Sequence, residues 1–272
     1  MGPQEQELLG EHALAAALRT DTPEIRQNPE VLSAVMTLIV RTKFIDKRLE
    51  RSIADGATQV VILGAGWDTR AHRFAELLRN ARVFEVDQPA TQNWKRRRFA
   101  ESIGSDPANL TYLQIDFRHQ TLAEVLAAGG YDPARRTFFI WEGVTMYLPE
   151  AAVRDTLSWI SRQAPGSSLV FDFAHRNLID SITAMAHMEP PNEFARVAMD
   201  RLLQIQKWGE PWIFGVPDGA ADVFLAELGL QHRETLGMAS TEAARRYLGW
   251  TEDGPFPASI RQFYSITEAA VL

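Results

Sequence analysis

Val60-Val61-Ile62-Leu63-Gly64-Ala65-Gly66-Trp67-Asp68-Thr69-Arg70 is followed at a set distance by Val83-Phe84-Glu85-Val86-Asp87. The two stretches read as a buried strand, a glycine turn, a helix start and a second strand ending in a carboxylate. Glycines let backbone approach a ligand closely, because no Cβ stands in the way. A carboxylate at the tip of the next strand can accept hydrogen bonds from both hydroxyls of a ribose. Asp87 follows Gly66 by 21 positions (87 − 66 = 21), close to the roughly 20 expected of a ribose-binding acid. The competing reading of Asp87 is an acid capping a helix that starts at Pro89, and both can hold together. Gly64-Ala65-Gly66 opens like the dinucleotide fingerprint G-x-G-x-x-G, but position 69 is threonine where the third glycine belongs. Trp67 and Asp68 would crowd and repel a pyrophosphate, and they suit a ligand with a cationic or zwitterionic head. The plain alternative is a tight turn that needs small residues.

Composition narrows the class. The chain has 272 residues and a formal net charge of −7, enough for one α/β domain with a large core and an inserted cap. The negative balance argues against nucleic acid as a partner. Lys95-Arg96-Arg97-Arg98 is the one basic run, and it reads as a solvated helix face. Cysteine is absent, which excludes disulfides, thiol nucleophiles and cysteine-ligated metals, and fits a cytoplasmic protein. The N-terminal stretch lacks a secretory signal and a myristoylation motif. No apolar run reaches the ~20 residues that span a bilayer, so no membrane partner is expected.

Helical spacing marks residues 6–51, divided by Pro23 and Pro29. Strand-like runs follow at Gln59–Leu63, Arg82–Val86, Leu110–Ile115, Thr137–Trp141 and Ser167–Phe173. Helical patterns lie between them near Asp68–Leu78, Ala90–Ser102, Thr121–Ala128 and Glu150–Gln163. Such alternation implies right-handed βαβ units and a parallel sheet. After Phe173 the rhythm breaks. Asn177–Arg201 reads as helix interrupted by Pro190-Pro191, a cap over the ligand edge of the sheet. Asp218–Leu228 returns to helix, and Leu230–Leu236 and Arg261–Thr267 read as a final antiparallel pair at one edge. The expected organisation is one domain: N-terminal helices over 6–51, a nucleoside-binding core over 59–173, a cap over 175–214, and a closing helix and strands over 215–272.

Other positions carry possible chemistry. Asp116-Phe117 closes the third strand, where a carboxylate and a ring can meet a nucleobase; a helix cap before Thr121 explains the acid equally well. Glu142 and Tyr147, in Trp141-Glu142-Gly143-Val144-Thr145-Met146-Tyr147-Leu148-Pro149, follow the central strand. Ligands bind beyond the carboxyl ends of such strands where strand order reverses. The alternative for Glu142 is a carboxylate satisfied by nearby backbone amides. Arg41, on a largely apolar helix, can pair with a ligand carboxylate or simply with an internal acid. No metal-ligand spacing stands out among the scattered histidines.

Together, Arg41-Thr-Lys-Phe-Ile-Asp46, Leu63-Gly-Ala-Gly-Trp-Asp-Thr-Arg70, Phe84-Glu-Val-Asp-Gln-Pro89, Asp116-Phe117 and Glu142-Gly-Val-Thr-Met-Tyr-Leu148 resemble the leucine carboxyl methyltransferase family. That family also includes bacterial polyketide-synthesis O-methyltransferases of the tetracenomycin type. The resemblance covers about Val31 to Phe173. It implies a Rossmann-like class I methyltransferase: a mostly parallel, twisted, seven-stranded sheet with helices on both faces, an antiparallel edge strand, N-terminal helices and a helical cap. It also implies S-adenosyl-L-methionine as cofactor. Arg41 would bind the methionine carboxylate, Gly64, Ala65 and Gly66 would lie under the methionine moiety, and Asp87 would hold the ribose. Asp116 and Phe117 would contact adenine, and Glu142 the amino end. Tyr147 would sit near the methyl group and, with Glu142, form the catalytic pair. Trp67 departs from the smaller aliphatic residue usual in the family.

The resulting expectation is an O-methyltransferase acting on a small molecule, a carboxylate or hydroxyl of a polyketide-like metabolite. A carboxylate, with a reference pKa of about 4, needs no general base; a phenol near ~10 would benefit from one. His175 is the only base in reach of the fifth strand, and Arg70, Arg73 and Arg176 are candidate acceptor anchors beside it. Three alternatives stay open: methylation of a protein C-terminus, an NAD(P)-dependent oxidoreductase, and a non-catalytic nucleoside-binding protein. Monomer and homodimer are both compatible with the sequence.

Overall fold

A computed structural model describes residues 29–102, 104–116, 119–185, 212–251 and 264–272. The chain divides into two compact units, one formed by Met1–Phe44 with Leu236–Gln262, the other by Ile45–Thr235 with Phe263–Leu272.

Among the described residues an eight-stranded sheet runs in the order β3-β2-β1-β4-β5-β8-β7, with β6 beside β5. The strands are β1 (Gln59–Leu63), β2 (Arg82–Asp87), β3 (Leu110–Gln114), β4 (Thr137–Trp141), β5 (Ser168–His175), β6 (Gly215–Val216), β7 (Leu230–Gly237) and β8 (Tyr264–Val271). β1 lies parallel between β2 and β4, with Val61 beside Phe84 on one side and Phe139 on the other. Every residue of β1 and β4 is buried, as expected of parallel strands covered on both faces. Gln59 tolerates this because its side chain bonds the Asp132 backbone through both N–H and C=O, and also bonds Thr137 Oγ1.

The helices are α1 (Pro29–Ala54), α2 (Arg70–Arg73), α3 (Pro89–Ser102), α4 (Leu122–Ala128), α5 (Glu150–Ile160), α6 (Arg176–Met185), α7 (Ala221–Glu227) and α8 (Thr241–Ala243). Leu122, Val125 and Leu126 of α4, Val153, Leu157 and Ile160 of α5, and Phe224 and Leu225 of α7 share one core with Val61, Phe84, Phe139 and Phe171 of the sheet. The apolar i, i+3/i+4, i+7 spacing of α5 is what lets one of its faces enter that core. Thr121 and Glu124 close a reciprocal capping box at the start of α4.

Three expectations change. The sheet has eight strands rather than seven; the extra one, β6, is a two-residue pairing too short to leave a sequence pattern. The last two strands lie at one edge as expected, but β8 is the inner one: it pairs antiparallel with β5, and β7 lies outside it. Burial explains the order, because β8 is buried from Ser265 to Val271 while β7 is exposed or half-buried from Gln231 to Thr235. The helix expected over Asp68–Leu78 stops at Arg73. Beyond it the hydrogen bonds alternate between four-residue steps (Phe74 to Arg70, Leu78 to Phe74) and three-residue steps (Ala75 to His72, Arg79 to Glu76).

In the first unit Phe44 of α1 packs against Tyr247 at 6.1 Å between ring centroids, and Lys43 Nζ donates to the Tyr247 carbonyl at 2.8 Å. Ser240 caps α8 through the Ala243 N–H, and the turn after it ends at Gly249 with φ +68°. The helices expected over residues 6–28 and most of the expected cap, residues 186–211, lie outside the described residues.

Candidate functional site

Strand order reverses between β1 and β4, so the crevice beyond their carboxyl ends is where an open α/β sheet binds its ligand. The turn after β1 is built for that position. Gly64 adopts φ +64°, and a Cβ there would run into the Val144 side chain. Its N–H and that of Ala65 both reach the Val86 carbonyl, at 2.8 and 3.1 Å. Gly66 follows at φ +40°, and a Cβ there would meet nothing nearer than the Gly64 carbonyl at 3.8 Å. Backbone is therefore bare toward the crevice at Gly66, and tightly packed against the neighbouring loop at Gly64.

Asp87 ends β2 directly beside this turn. One carboxylate oxygen accepts the Gly66 N–H at 2.5 Å and the other accepts the Gln88 N–H at 2.6 Å. Burial raises its pKa above the ordinary carboxylate range, opposed by these two amides and by the charge of Lys95. α3 starts at Pro89, so Asp87 stands two residues before that helix as well as at the strand tip.

A buried ionic cluster flanks the turn. Arg70 is only 4% exposed. Its Nε donates to Asp46 at 2.8 Å, and its Nη1 donates to Glu142 at 2.6 Å and to Asp68. Burial opposes the charge on Arg70, yet Asp68, Glu142 and Asp46 outweigh it and raise the guanidinium pKa. Arg73 adds two hydrogen bonds to Asp46, at 2.9 and 3.1 Å. Arg70 is thus spent on three carboxylates and does not present its charge to an acceptor; Arg73 is committed to the same Asp46. Both were expected as acceptor anchors, and the acids that claim them explain why they are poorly placed for it. Asp46 carried no role in the sequence reading, although it stands inside the quoted motifs, and Asp68, expected to face a ligand, is instead turned onto Arg70.

Behind the turn, Trp67 lies edge-on to Trp94 at 4.0 Å and tilted to Phe99 at 6.1 Å. The ring therefore packs on α3, so crowding of a pyrophosphate by Trp67 is not what the geometry shows. Lys95 corrects another expectation: it is buried, not solvated, and its Nζ donates to the buried Glu85 at 2.6 Å. Burial lifts Glu85 to a pKa of about 7, with Lys95 pulling it down. Arg96, Arg97 and Arg98 are exposed, as a solvated face requires.

Asp116 is half-buried. Its carboxylate meets His119 Nδ1 at 3.0 Å, and its N–H donates to Gln120 Oε1 at 3.0 Å. It does not cap α4, since Thr121 does. Phe117 lies outside the described residues. Glu142 leads into a turn that holds Tyr147 at its end, 36% exposed. Asp172, fully buried in β5, was missed by sequence reasoning: Oδ1 accepts the Gly143 N–H at 2.7 Å and Oδ2 the Tyr264 hydroxyl at 2.8 Å. The signal was available, since an acid interrupts Leu169-Val170-Phe171-Asp172-Phe173. His175 ends β5 with Nε2 2.8 Å from Ser265 Oγ and Nδ1 3.4 Å from Asp218; burial pushes its pKa below the ordinary imidazole value, against the pull of Asp218. Arg176 donates to Glu150 at 3.0 Å. Arg41 is half-buried in the part of α1 that belongs to the first unit.

Residues 2–161 match the model of a family described as leucine carboxyl methyltransferase. A Streptomyces coelicolor protein, provisionally named an S-adenosyl-L-methionine-dependent methyltransferase, is 38% identical over 156 residues, 57% of this chain and 54% of that protein. A Bacillus subtilis protein with the same provisional name is 33% identical over 166 residues, 61% of this chain and 54% of its own length. The chain spans about half the length of the curated relatives it matches. Among solved structures, an O-methyltransferase family protein from Burkholderia thailandensis aligns with a TM-score of 0.51 at 11% identity, over 99% of this chain and 70% of that one. A provisionally named methyltransferase from Thermobifida fusca aligns at 0.50 and 18% identity, over 96% and 87%. At such identities the likeness is one of fold.

Proposed function

This chain belongs to the leucine carboxyl methyltransferase family, and from that premise we propose that it is an S-adenosyl-L-methionine-dependent methyltransferase acting on an oxygen of a small molecule. The observation that carries the reading is the Asp87 carboxylate, fixed at the tip of β2 against the Gly66 amide. It is an acceptor set for a ribose, beside bare glycine backbone, at the reversal of strand order.

The residues fit the cofactor chemically. Asp87 would take the ribose hydroxyls, and the open backbone at Gly66 leaves room for the chain that joins ribose to amino acid. Asp116 would meet the adenine edge. Glu142, already oriented by Arg70, would receive the ammonium group, as the family resemblance implies. Asp87 at the crevice favours a cationic ligand and opposes the pyrophosphate of a dinucleotide, while the charges of Asp68 and Glu142 are met by Arg70. When bound, S-adenosyl-L-methionine supplies an electrophilic methyl group on a sulfonium.

The protein's own task is then positioning, since direct displacement needs the acceptor oxygen in line with the breaking bond. Tyr147, exposed at the end of the turn, would orient the acceptor. Burial pushes the His175 pKa below the ordinary imidazole value, which favours its neutral form, against the pull of Asp218. Its Nε2 is engaged with Ser265, however, so it is not poised to take a proton from an acceptor. This favours an acceptor that is already an anion: a carboxylate, of a polyketide-like or other small organic acid. Arg176 would pair with it only by giving up Glu150.

Calorimetry with S-adenosyl-L-methionine and with NAD tests the core of the proposal. Binding of the methyl donor is expected; binding of NAD alone would overturn it. Asp87→Ala should weaken cofactor binding by about 1–3 kcal/mol, from lost hydrogen bonds to a charged acceptor. Tritiated methyl groups followed into extract small molecules and extract proteins separate a metabolite from a protein C-terminus as acceptor.

A further inference from the structure

We infer that Asp172 is a positioning residue, which holds the loop carrying Glu142 and Tyr147 in its working shape. The inference rests on the reading of the crevice as the cofactor site. Its physical basis is the cost of an acid at that place. Asp172 is fully buried in β5, between Phe171 and Phe173. An unaccompanied carboxylate there would be strongly disfavoured, so the strand gains nothing from it unless its oxygens are used.

They are used on the loop. Oδ1 accepts the Gly143 N–H at 2.7 Å, immediately after Glu142. The Asp172 carbonyl accepts the Thr145 hydroxyl at 2.5 Å, two residues before Tyr147. Gly143 itself sits at φ +70°, which glycine adopts without steric cost but shares with many other conformations, so a bond to its N–H narrows the choice. Oδ2 takes the Tyr264 hydroxyl at 2.8 Å, and the Tyr264 ring stacks on Trp212 at 5.6 Å and 21°. Met146, from the same loop, is buried with Ala174 and Ile179 against Trp212 and Tyr264. Its carbonyl accepts the Ile213 N–H at 2.8 Å. One residue therefore ties the loop to β5 at two points and reaches the β8 tyrosine that packs beside it. Arg70 restrains Glu142 from one side, and Asp172 restrains the residue after it from the other.

Hydrogen exchange over residues 142–148, read together with calorimetry of S-adenosylhomocysteine, tests this. Asp172→Leu removes both side-chain acceptors at similar volume. Asp172→Asn can still accept from Gly143 and donate to the Tyr264 oxygen, so it serves as the conservative rescue. For the leucine variant, exchange in 142–148 should quicken about ten-fold, with β1 and β4 still protected, and affinity for S-adenosylhomocysteine should fall about ten-fold. The asparagine variant should stay near wild type in both. If Asp172→Leu does not fold, Thr145→Val and Tyr264→Phe each remove one bond and should give about three-fold effects in the same direction. Unchanged exchange in 142–148, unchanged affinity in folded variants, or loosening spread evenly over the whole sheet overturns the inference. A wild-type protein that binds no S-adenosylhomocysteine overturns the cofactor reading instead, and the exchange data then still decide whether Asp172 holds the loop.

Discussion

Two buried ionic groups lie on either side of the glycine turn, and they are built differently. At one, the Arg70 guanidinium reaches Asp46 of α1, Asp68 of the turn and Glu142 beyond β4. At the other, the Lys95 ammonium pairs with one carboxylate, Glu85, and lies over the Phe99 ring; the second oxygen of Glu85 has no hydrogen-bond partner among the described residues. A guanidinium is a planar fork that can fix several carboxylates in direction; an ammonium is a point charge. The first cluster therefore joins three chain segments at the ligand edge. The second fastens one helix to one strand behind it. The difference teaches where positional precision is concentrated: at the residues proposed to face the cofactor, not under them.

Breaking the first cluster should have the largest effect. Arg70→Met leaves Asp46, Asp68 and Glu142 without their shared cation, and a loss of about 5 kcal/mol in denaturant unfolding is expected. A loss under ~1 kcal/mol would mean that the cluster does not join those segments in solution. Lys95→Met should cost less, about 3 kcal/mol at pH 8, and its cost should depend on pH. Burial holds Glu85 at a folded pKa of about 7, above the ordinary 4.5 of an exposed glutamate, so stability present below pH 4.5 is lost as pH rises through 7. Without Lys95 that pKa moves further up. Chemical denaturation at pH 8 and at pH 6 should therefore show the variant nearer to wild type at pH 6. An equal loss at both would show that Glu85 does not titrate there. The smallest change belongs to neither cluster: Thr121→Ala, at the capping box of α4, should cost about 1 kcal/mol at any pH from 6 to 8.

The same contrast marks what could be read from the chain. β1 and β4 are continuous apolar runs, and their limits are recovered to the residue; α3 is located by Pro89 and α4 by Thr121. The glycines and Asp87 lie together because both belong to strand ends that parallel pairing puts side by side. What sequence did not give is partnership at a distance. Nothing local says that Arg70 turns inward to Asp46, 24 residues away (70 − 46 = 24), or that Lys95 leaves the basic run to reach Glu85. Asp172 had a local signal, an acid in an apolar strand, but not its partners. The order of β8 and β7 was legible in principle, since Gln231-His232-Arg233-Glu234 suits an edge and the composition of β8 does not.

The contact between Gly64 and Val144 bears on how such a site can change over generations. The two positions belong to loops 80 residues apart (144 − 64 = 80), yet they cannot drift independently. A side chain at 64 is admissible only after 144 has become small, and even then the backbone there still favours glycine. The reverse order, shrinking 144 first, opens a gap but no clash. Substitution is therefore directional, and homologues that lack glycine at 64 should already carry a glycine or alanine at 144.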